Sequence, residues 1–568
     1  MSAMRAFFLI AVVGAHRCLS YRRDSSCRTQ PGDPGFPSDA LWDQLNEQVE
    51  GRLIPVVPSA EACKEVGCTP SQWHSGLYEA DVPGSMNSYN WEQDYTSVPP
   101  SLCLYNYNGT ACGQGRVPLY AINASSAADI QAGVNFASNH SLRVAIKSSG
   151  HDYLGRSTQK NSLLLWTQFL KDISFTDSFT VEELNLGSAV TVGSGVGLQA
   201  LYDACKAQGK MVVGGSAATV SAGGGYVQGA GHSAFSPLLG LAADNALQFE
   251  VVIADGTLVT ANGDSHPDLF WALRGGGAGS WGVVTAVTFR TYSTFNVTSH
   301  AADVTMASPD QAGAVLKAHA THIFDWDDVH AGQYFYLYNS PAPNITMTLW
   351  TLFPNTSAED AIAKMAPFFN DARALGAIVS DERASTGLAN DIIQRSGSDD
   401  TTGANVILGS RLIPASTYQS NQSLIGETYL ALLEQGVQGI LGHLVAGGKV
   451  SDDANPFSAI HPKWRTAKTH IIITQSWDDS TSPAQVEQLK EDLTNKHIPV
   501  LVAMTGETDS GSYSNEGDVR EPAFQETFYG PNYQKLLSIK AAYDPNDLFI
   551  VGAGVGSERW DAEGLCRL

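Results

Sequence analysis

A strand that ends in a Ser-Ser-Gly-His loop constrains the fold of this chain more than any other segment. Residues 143–157 read RVAIKSSGHDYLGRS, a β-branched start followed by Ser148, Ser149 and Gly150. Such a loop presents several backbone N–H groups, which can bind a phosphate without basic side chains. His151 stands at the tip of the loop, within reach of a bound cofactor. Loop histidines are more often structural or solvated than catalytic, so this pattern alone leaves both roles open.

Strands and helices alternate on both sides of this loop. A strand at 120–122 precedes a serine-capped amphipathic helix on the N-terminal side. On the C-terminal side, Asp255 and Gly256 separate two apolar runs, which predicts a β-hairpin. We therefore predict an α+β unit over residues 118–293.

A second α+β region follows residue 296. Residues 334–338 and 345–353 are typical of paired strands, and residues 358–375 and 483–495 are typical of helices. The pattern predicts a sheet with helices covering one of its faces. We assign this region to residues 296–505.

The composition excludes several classes of protein. Hydrophobic residues make up 43% of the 568 residues and charged residues 16%, so the chain can bury a substantial core. The 34 Lys and Arg residues against 57 Asp and Glu residues give a formal net charge of −23. Phosphate backbones and anionic membranes attract basic surfaces, so we expect no nucleic-acid or membrane partner. No apolar run approaches the ~20 residues of a spanning helix.

The N-terminus has the pattern of a secretory signal peptide. Arg5 precedes an apolar run over residues 6–15, and residues 16–20 (HRCLS) follow, with small residues at plausible cleavage positions. A short buried helix is the alternative. Residues 1–20 are therefore predicted to be removed on secretion. Seven Asn-x-Ser/Thr sequons agree with this compartment: Asn108, Asn123, Asn139, Asn296, Asn344, Asn355 and Asn421.

Seven cysteines remain once Cys18 is assigned to the signal peptide. An odd number in an oxidising compartment leaves at least one thiol unpaired, and we expect this to be Cys205, in a helical stretch far from the others. The pairing of the other six cannot be deduced from sequence. Zinc binding by Cys63 and Cys68 is an alternative, but no second ligand pair follows at a suitable spacing. We predict disulfides and no metal site.

A G-x-G-x-x-G match at residues 277–282 fails the structural requirement of a dinucleotide fingerprint. That motif needs a strand, then the glycines, then a helix whose N-terminus meets the pyrophosphate. Here residues 267–273 predict a helix before the glycines and residues 283–289 a strand after them. A tight helix-to-strand turn is the favoured interpretation.

The Ser-Gly-His-Asp loop resembles the flavin-attachment site of FAD-linked oxidases of the vanillyl-alcohol-oxidase superfamily, in the berberine-bridge-enzyme-like branch. Further segments match in the same order: Gly223-Gly224-Gly225-Tyr226 with residues 240–245; Asp255-Gly256, residues 268–275 and Gly282-Val283-Val284; and residues 529–533 with residues 539–545. The resemblance covers residues 118–293 and 510–550. Within the family, the chain is most similar to secreted fungal isoamyl-alcohol-oxidase-like proteins.

The resemblance implies an α+β fold with a two-part PCMH-type FAD-binding domain and a substrate domain whose antiparallel sheet is covered by helices. It implies the FAD domain at 117–295, the substrate domain at 296–505 and a returning C-terminal segment at 506–568. Residues 21–116 are rich in Pro, Gly, Ser and Cys and show little regular periodicity, which predicts an irregular N-terminal segment held by disulfides. FAD is expected to be covalently bound to His151. The other expected FAD contacts are Ser148, Ser149, Gly150, Asp152, Gly223, Gly224, Gly225, Val283, Val284 and Asn515.

Two positions depart from the family pattern. Bicovalent members carry a cysteine where this chain has Ala217, so a single attachment through the histidine is implied. Many members place a catalytic tyrosine where this chain has Glu516. We predict Glu516 as the general base, provided that burial raises its pKa toward the working pH. Tyr513 and His232 are the alternatives, while Glu516 would then only cap a turn.

We therefore expect a secreted FAD-dependent oxidoreductase that oxidises an alcohol, with oxygen as acceptor and hydrogen peroxide as product. The flavin carries such chemistry, and the protein orients it and tunes its potential. A biosynthetic oxidase or oxidative cyclase acting on a specialised metabolite is the nearest alternative. A non-catalytic glycoprotein that keeps the flavin fold belongs to a different class. The expected partners are a small-molecule substrate and oxygen, and the oligomeric state is open.

Overall fold

The computed structural model describes residues 27–105, 112–340, 343–394, 397–452, 457–506 and 510–568. The predicted signal peptide and the sequon at Asn108 lie outside the described residues. Helices and strands mix along the chain, and the larger sheets are mostly antiparallel. The predicted α+β class is therefore confirmed.

The predicted cofactor loop follows a strand of a small mixed sheet. Its four strands, in spatial order, are Leu53–Pro55, Tyr120–Asn123, Ser162–Trp166 and Arg143–Lys147. The last three are parallel to one another, and Leu53–Pro55 is antiparallel. The helix Ala127–Asn139 connects two of the parallel strands, as crossover connections do. Ser126 is its N-cap, and Asp129 accepts from Ser126 N at 3.0 Å.

A five-stranded antiparallel sheet completes the FAD-domain region. Its order is Ile173–Val181, Leu184–Gly193, Val283–Arg290, Ala246–Val252 and Leu258–Asn262, and Tyr292–Ser293 pairs separately with Lys210–Met211. The predicted hairpin at Asp255-Gly256 joins the last two strands. The helix Pro267–Leu273 precedes the strand Val283–Arg290. The glycines between them form the predicted helix-to-strand turn, and no dinucleotide fingerprint exists there.

The third sheet has seven antiparallel strands: Ile378–Leu388, Asn296–Met306, Ile345–Pro354, Gly332–Asn339, Gly439–Leu444, Ala467–Trp477 and Asn405–Pro414. Side chains alternate between its faces. Phe335 and Ile473 point to a core shared with the covering helices. Tyr334 and Tyr336 point the other way, toward the FAD-domain region and its cavity. The second face therefore supplies a wall of the site.

The helices vary from single turns to 17 residues. They are Asp39–Gln48, Ser59–Val66, Pro70–Trp73, Gly76–Ala80, Ala127–Asn139, Leu198–Ala207, Val227–Gly229, Ser236–Leu239, Ala242–Asn245, Pro267–Leu273, Pro309–His322, Ala358–Ala374, Ala389–Ile392, Ala415–Ser420, Gln422–Glu434, Pro483–Asp492, Ile498–Thr505 and Tyr533–Tyr543. Within the described ranges, none is long and apolar enough to cross a bilayer.

The N-terminal segment is more regular than its sequence suggests. It contains four helices and a strand that joins the first sheet. Three disulfides connect six of the cysteines: Cys27–Cys566, Cys63–Cys68 and Cys103–Cys112. Because Cys63 and Cys68 pair with each other, the zinc alternative is excluded. Cys205 is buried and free, as predicted. Cys27–Cys566 ties the start of the described chain to its end.

The C-terminal segment returns to the FAD-domain region, and Lys540 holds it there. Lys540 is completely buried in the helix Tyr533–Tyr543. Its Nζ donates to Asp544 Oδ2 at 2.5 Å, to Phe549 O at 2.6 Å and to Ser280 O at 3.0 Å. Burial lowers the pKa of Lys540, and Asp544 opposes this effect. The ion pair lies within the C-terminal segment, and the hydrogen bond to Ser280 O joins the helix to the turn that follows Pro267–Leu273.

Replacement of Lys540 by methionine keeps the length of the side chain and removes its charge. We expect a loss of about 3–5 kcal/mol in the free energy of unfolding, because Asp544 is left as a buried unpaired carboxylate. The measurement is urea unfolding followed by tryptophan fluorescence. Lys535→Met is the matched control, since Lys535 is exposed on the same helix and lies over the Trp271 ring. It should cost less than about 1 kcal/mol. Equal losses in the two variants would contradict the role given to Lys540.

Candidate functional site

The predicted cofactor loop begins where the strand Arg143–Lys147 ends. Lys147 is buried, and its Nζ donates to three carbonyl oxygens of the N-terminal segment: Val82 at 2.7 Å, Pro83 at 2.8 Å and Ser85 at 2.8 Å. Burial lowers the pKa of Lys147 to about 7, although nearby carboxylates oppose the effect. The N-terminal segment thus fixes the root of the loop.

The turn itself requires a glycine at position 150. Gly150 has a φ of +88°, a conformation that L side chains rarely adopt. A Cβ there would lie 3.2 Å from Asn87 Oδ1, and Asn87 N donates to Gly150 O at 3.2 Å. Asp152 closes the loop on the other side, because its carboxylate accepts from Leu154 N at 2.9 Å and Ser157 N at 2.5 Å.

His151 faces a cluster of polar groups from three parts of the chain. Its Nε2 lies 3.1 Å from Asn87 Nδ2 and also contacts Thr219 Oγ1. The Thr219 hydroxyl donates to Asp400 Oδ2 at 2.7 Å, and this carboxylate oxygen lies 3.6 Å from His151 Nε2. Burial lowers the pKa of His151, while Asp400 and Asp399 oppose the shift. The imidazole is therefore neutral at neutral pH, with a lone pair available.

A cavity of about 610 Å³ lies against this loop. Its wall combines the loop residues Ser148–Ser157, the segment 215–221, the inner face of the seven-stranded sheet and the C-terminal residues 513–516. This volume is within the range of cofactor and substrate sites, about 300–1,000 Å³. The cavity therefore lies where the FAD-domain region, the seven-stranded sheet and the C-terminal segment meet.

The structure brings most, but not all, of the predicted site residues to this cavity. Those that line it are His151, Ser148, Ser149, Gly150, Asp152, Gly225, His232, Tyr513, Asn515 and Glu516. Gly223 instead packs near Ser194, where a Cβ would approach Ser194 Cα to 3.1 Å. A Cβ at Gly224 would lie 3.4 Å from Ser221 Cβ. Val283 and Val284 are buried in hydrophobic clusters. Contact of these four residues with a cofactor remains a prediction.

Glu516 lies in the cavity wall beside three histidines. Its Oε2 is 3.1 Å from His232 Nε2, 3.4 Å from His470 Nδ1 and 3.9 Å from His443 Nδ1. The Glu516 side chain is 18% exposed, whereas each histidine is at least nine-tenths buried. The Glu516 carboxylate thus lies within 3.9 Å of nitrogens from all three imidazoles.

The pKa of Glu516 shifts in the direction opposite to our expectation. Burial alone would raise it, but the charge and hydrogen bond of His232, with the charge of His443, more than offset this effect. The pKa therefore lies below its ordinary value, and the carboxylate is ionised at neutral pH. Burial and the neighbouring His232 hold the pKa values of His443 and His470 well below their usual range.

Tyr513 and Asn515 connect the C-terminal segment to the glycine-rich turn. Tyr513 Oη accepts from Gly231 N at 3.2 Å and from Asn515 Nδ2 at 2.9 Å. Asn515 Nδ2 also donates to Gly225 O at 2.9 Å. Burial, followed by the charge of Glu516, raises the pKa of Tyr513. A phenol in this state is a poor proton acceptor.

Sequence analysis missed five residues that shape the site: Asn87, Thr219, Asp400, His443 and His470. No local motif includes them, because each acts on a residue far away in the chain. His443 and His470 are directly opposed on adjacent strands of the seven-stranded sheet. The only local signal is a histidine within the apolar run of residues 467–477.

The comparisons with known proteins agree with this geometry. Residues 118–262 match the family described as FAD binding domain, and residues 512–556 match the family described as berberine and berberine like. An uncharacterized FAD-linked oxidoreductase of Arthroderma benhamiae is 37% identical over 95% of this chain and 96% of its own length. The VAO-type flavoprotein oxidase VAO615 of Thermothelomyces thermophilus is 32% identical over 100% of this chain and 99% of its own length.

The chain belongs to the berberine-bridge-enzyme-like FAD-linked oxidoreductases. The crystal structure of the VAO-type flavoprotein MtVAO615 from Myceliophthora thermophila C1 gives a TM-score of 0.86 at 30% identity. The match covers 96% of this chain and 100% of that one. The resemblance inferred from the loop motifs is thereby confirmed, and the protein is an FAD-dependent oxidoreductase.

The residues present fit FAD. Among the described residues, no acceptor takes the backbone N–H groups of Ser149, Gly150 and His151, which line the cavity. Such free N–H groups in a turn suit a pyrophosphate. The neutral imidazole of His151 and the methyl group of Ala217 lie in the wall of the same cavity. The cavity wall therefore contains an imidazole nitrogen at position 151, to which a flavin can bond, and no sulfur at position 217 for a second bond.

Proposed function

We propose that the chain is a secreted FAD-dependent oxidase that converts an alcohol into a carbonyl compound, with oxygen as acceptor and hydrogen peroxide as product. The observation that carries the proposal is the shared cavity. The flavin-loop residue His151 and the ionised carboxylate of Glu516 both face it. Oxidation of an alcohol needs a hydride acceptor and a proton acceptor. His151 would hold the flavin, which is the hydride acceptor, and Glu516 would be the proton acceptor.

His151 would hold the cofactor through one covalent bond. Bound FAD would supply the group that accepts a hydride from the substrate. A neutral imidazole, here 13% exposed, carries the nitrogen lone pair that bond formation needs, and Thr219 and Asp400 fix the ring from one side. Because Ala217 carries no sulfur, a second attachment at that position is impossible.

Glu516 would accept the proton of the substrate hydroxyl. It is partly exposed to the cavity and ionised, and His232 holds one of its oxygens. Tyr513 is less suited, because its oxygen already accepts two hydrogen bonds and its pKa is raised. General-base assistance of this kind contributes about 10²–10⁴ to a rate.

The predicted secretion is supported by the disulfides and by the exposed sequons. The described residues contain three disulfides. In most proteins, disulfides persist only in an oxidising compartment. Four of the predicted sequons have exposed asparagines: Asn139, Asn296, Asn355 and Asn421. Outside the cell, oxygen is the abundant acceptor, which favours an oxidase.

A biosynthetic oxidase or oxidative cyclase is the second candidate, and the substrate side of the cavity favours it over a short-chain alcohol oxidase. Tyr336, Leu408, Leu441 and Ile472 form an apolar and aromatic wall there. Such a wall suits a larger, partly apolar substrate. A screen of primary alcohols, sugars and aromatic alcohols for peroxide release separates the candidates. Failure of every compound to reduce the flavin would favour a non-catalytic flavoprotein.

Replacement of His151 tests the covalent linkage. Wild-type protein should fluoresce on a gel after denaturation, and His151→Ala should lose that fluorescence, because the attached flavin no longer stays with the chain. His330→Ala, at an exposed histidine, should retain it. Fluorescence that survives in His151→Ala would show that the attachment lies elsewhere.

Replacement of Glu516 tests the proton acceptor. Glu516→Gln keeps the shape of the side chain and removes its charge, so flavin reduction should slow by about 10²–10⁴ while FAD stays bound. Stopped-flow reduction by the best alcohol measures this rate. Tyr513→Phe should stay within about tenfold of wild type. A Glu516→Gln rate within a few-fold of wild type would exclude this residue and turn attention to Tyr513.

Expression in a eukaryotic secretory host tests the compartment. The mature chain recovered from the medium should begin near residue 16 or 21 and should shift in mass after enzymatic removal of N-glycans. Asn123 should carry no glycan, because it is only partly exposed and its Oδ1 is buried. Asn123→Gln should therefore leave the glycoform pattern unchanged. Secreted protein that retains Met1 would contradict the signal peptide.

A further inference from the structure

Three histidines and one carboxylate meet at the wall of the cavity. His443 and His470 lie on the strands Gly439–Leu444 and Ala467–Trp477, directly opposite each other. Opposed residues of antiparallel strands share a face, with Cβ atoms about 4.5–5.5 Å apart. His232 comes from the loop after the glycine-rich turn, and Glu516 comes from the C-terminal segment. The fold thus collects the four side chains from separate parts of the chain.

The spacing of these groups is that of ligands around a metal ion. A tetrahedral ion with bonds of about 2.0–2.1 Å to nitrogen and oxygen holds its ligand atoms about 3.3 Å apart. Glu516 Oε2 lies 3.1, 3.4 and 3.9 Å from nitrogens of His232, His470 and His443. All four ligand atoms lie within 4.8 Å of one another. Small side-chain movements would bring them to ideal positions.

Four buried nitrogens of the cluster lack hydrogen bonds. Within the described ranges, no donor or acceptor pairs with His443 Nδ1, with either nitrogen of His470 or with His232 Nδ1. The His470 side chain is completely buried. Buried polar atoms nearly always have a partner, since an unpaired one costs about 1–3 kcal/mol. The unpartnered nitrogens around Glu516 therefore indicate a ligand that this set of side chains is arranged to bind.

We propose that one divalent transition-metal ion binds to four side chains at the wall of the cavity: His232, His443, His470 and Glu516. Neutral imidazole nitrogens and a carboxylate oxygen are ligands that suit Zn²⁺, Cu²⁺ and Fe²⁺, whereas Mg²⁺ and Ca²⁺ prefer oxygen. The single negative charge leaves the loaded site with a net positive charge. Zn²⁺ is the probe ion, because it needs no redox partner and accepts this geometry.

The ion would face the substrate. His232, His443 and Glu516 line the cavity, whereas His470 lies behind them. Zn²⁺ expands to five ligands in some sites, and the cavity side is where a fifth ligand can approach. An oxygen of the substrate, from a hydroxyl or a carbonyl group, is the ligand that fits this position. Glu516 would bind the ion through Oε2, the oxygen that faces the histidines, so Oε1 would stay the atom that accepts the substrate proton. This role rests on the proposed function, whereas binding of the ion does not.

The affinity should be moderate. Ligating histidines usually donate their second nitrogen to a carboxylate or carbonyl, and loss of such a partner weakens binding about 10–100-fold. The second nitrogens of His232 and His470 have no such partner among the described residues. The ion can therefore be lost during purification, and the experiment must add it back.

The test uses the full-length flavoprotein, stripped with a chelator and then dialysed against Zn²⁺ or Co²⁺. We expect one Zn²⁺ per chain by elemental analysis, and a tetrahedral Co²⁺ absorption band at longer wavelength than the flavin. Addition of azide or an alcohol should shift this band, because the fifth position opens into the cavity. Absence of stoichiometric Zn²⁺ would overturn the site, and a band that ignores both additives would overturn its cavity-facing position.

Two variants show whether the bound ion uses this cluster. His470→Phe keeps a ring and removes both nitrogens, so Zn²⁺ affinity should fall more than about 100-fold, beyond the loss of an outer partner. His319→Phe is the matched control, because His319 is equally buried but bonds to Gln333 outside the cluster. Unchanged binding by His470→Phe would assign the ion to another place. Flavin content and circular dichroism verify folding, and His443→Phe replaces His470→Phe if the latter does not fold.

Failure of the site and failure of the proposed function are distinguishable. A metal-free protein that reduces its flavin with an alcohol at the rate of the Zn²⁺-loaded protein would remove the ion from the reaction and leave the oxidase intact. A protein that binds Zn²⁺ at the cluster but oxidises no alcohol would keep the site and remove the proposed substrate class.

Discussion

The site depends on the returned C-terminal segment, and the buried side chain of Lys540 joins that segment to the FAD-domain region. Lys540 joins Asp544, Phe549 O and Ser280 O in a volume from which water is excluded. A charge in such a place has to be paired, because its removal from water costs several kcal/mol. Asp544 and Phe549 belong to the same segment, whereas the bond to Ser280 O is made only when the segment is in its returned position. The same return carries Glu516 to the face of the cavity.

Local patterns predicted the parts of the fold that local interactions determine. The strand before Ser148, the hairpin at Asp255-Gly256 and the rejected fingerprint at residues 277–282 all rest on residues near in sequence. Turn residues and hydrophobic periodicity act over a few positions, so they can be recognised directly in the sequence. The unpaired state of Cys205 was predicted from its place in a helical stretch far from the other cysteines. The family resemblance supplied the site residues, and ten of them line the cavity.

The remainder depends on contacts between residues that are far apart in the sequence. Lys147 is held by carbonyl oxygens of the N-terminal segment, and Asn87 touches both Gly150 and His151. The His443–His470 pair follows from strand register, which no short motif specifies. The direction of the Glu516 pKa shift was missed for the same reason. Burial raises a carboxylate pKa, but His232 and His443, which come from distant segments, reverse the direction of the shift.

These long-range contacts couple the binding of ligands to the assembly of the chain. The cavity wall combines the loop of the small sheet, the inner face of the seven-stranded sheet and the C-terminal segment. A ligand that contacts all three binds the assembled chain and not the separated parts. Such a ligand stabilises the assembled state by RT ln(1 + [L]/Kd), about 2.7 kcal/mol at 100 times Kd. A cofactor that cannot dissociate supplies this stabilisation permanently. Covalent attachment at His151 would therefore stabilise the fold as well as retain the flavin.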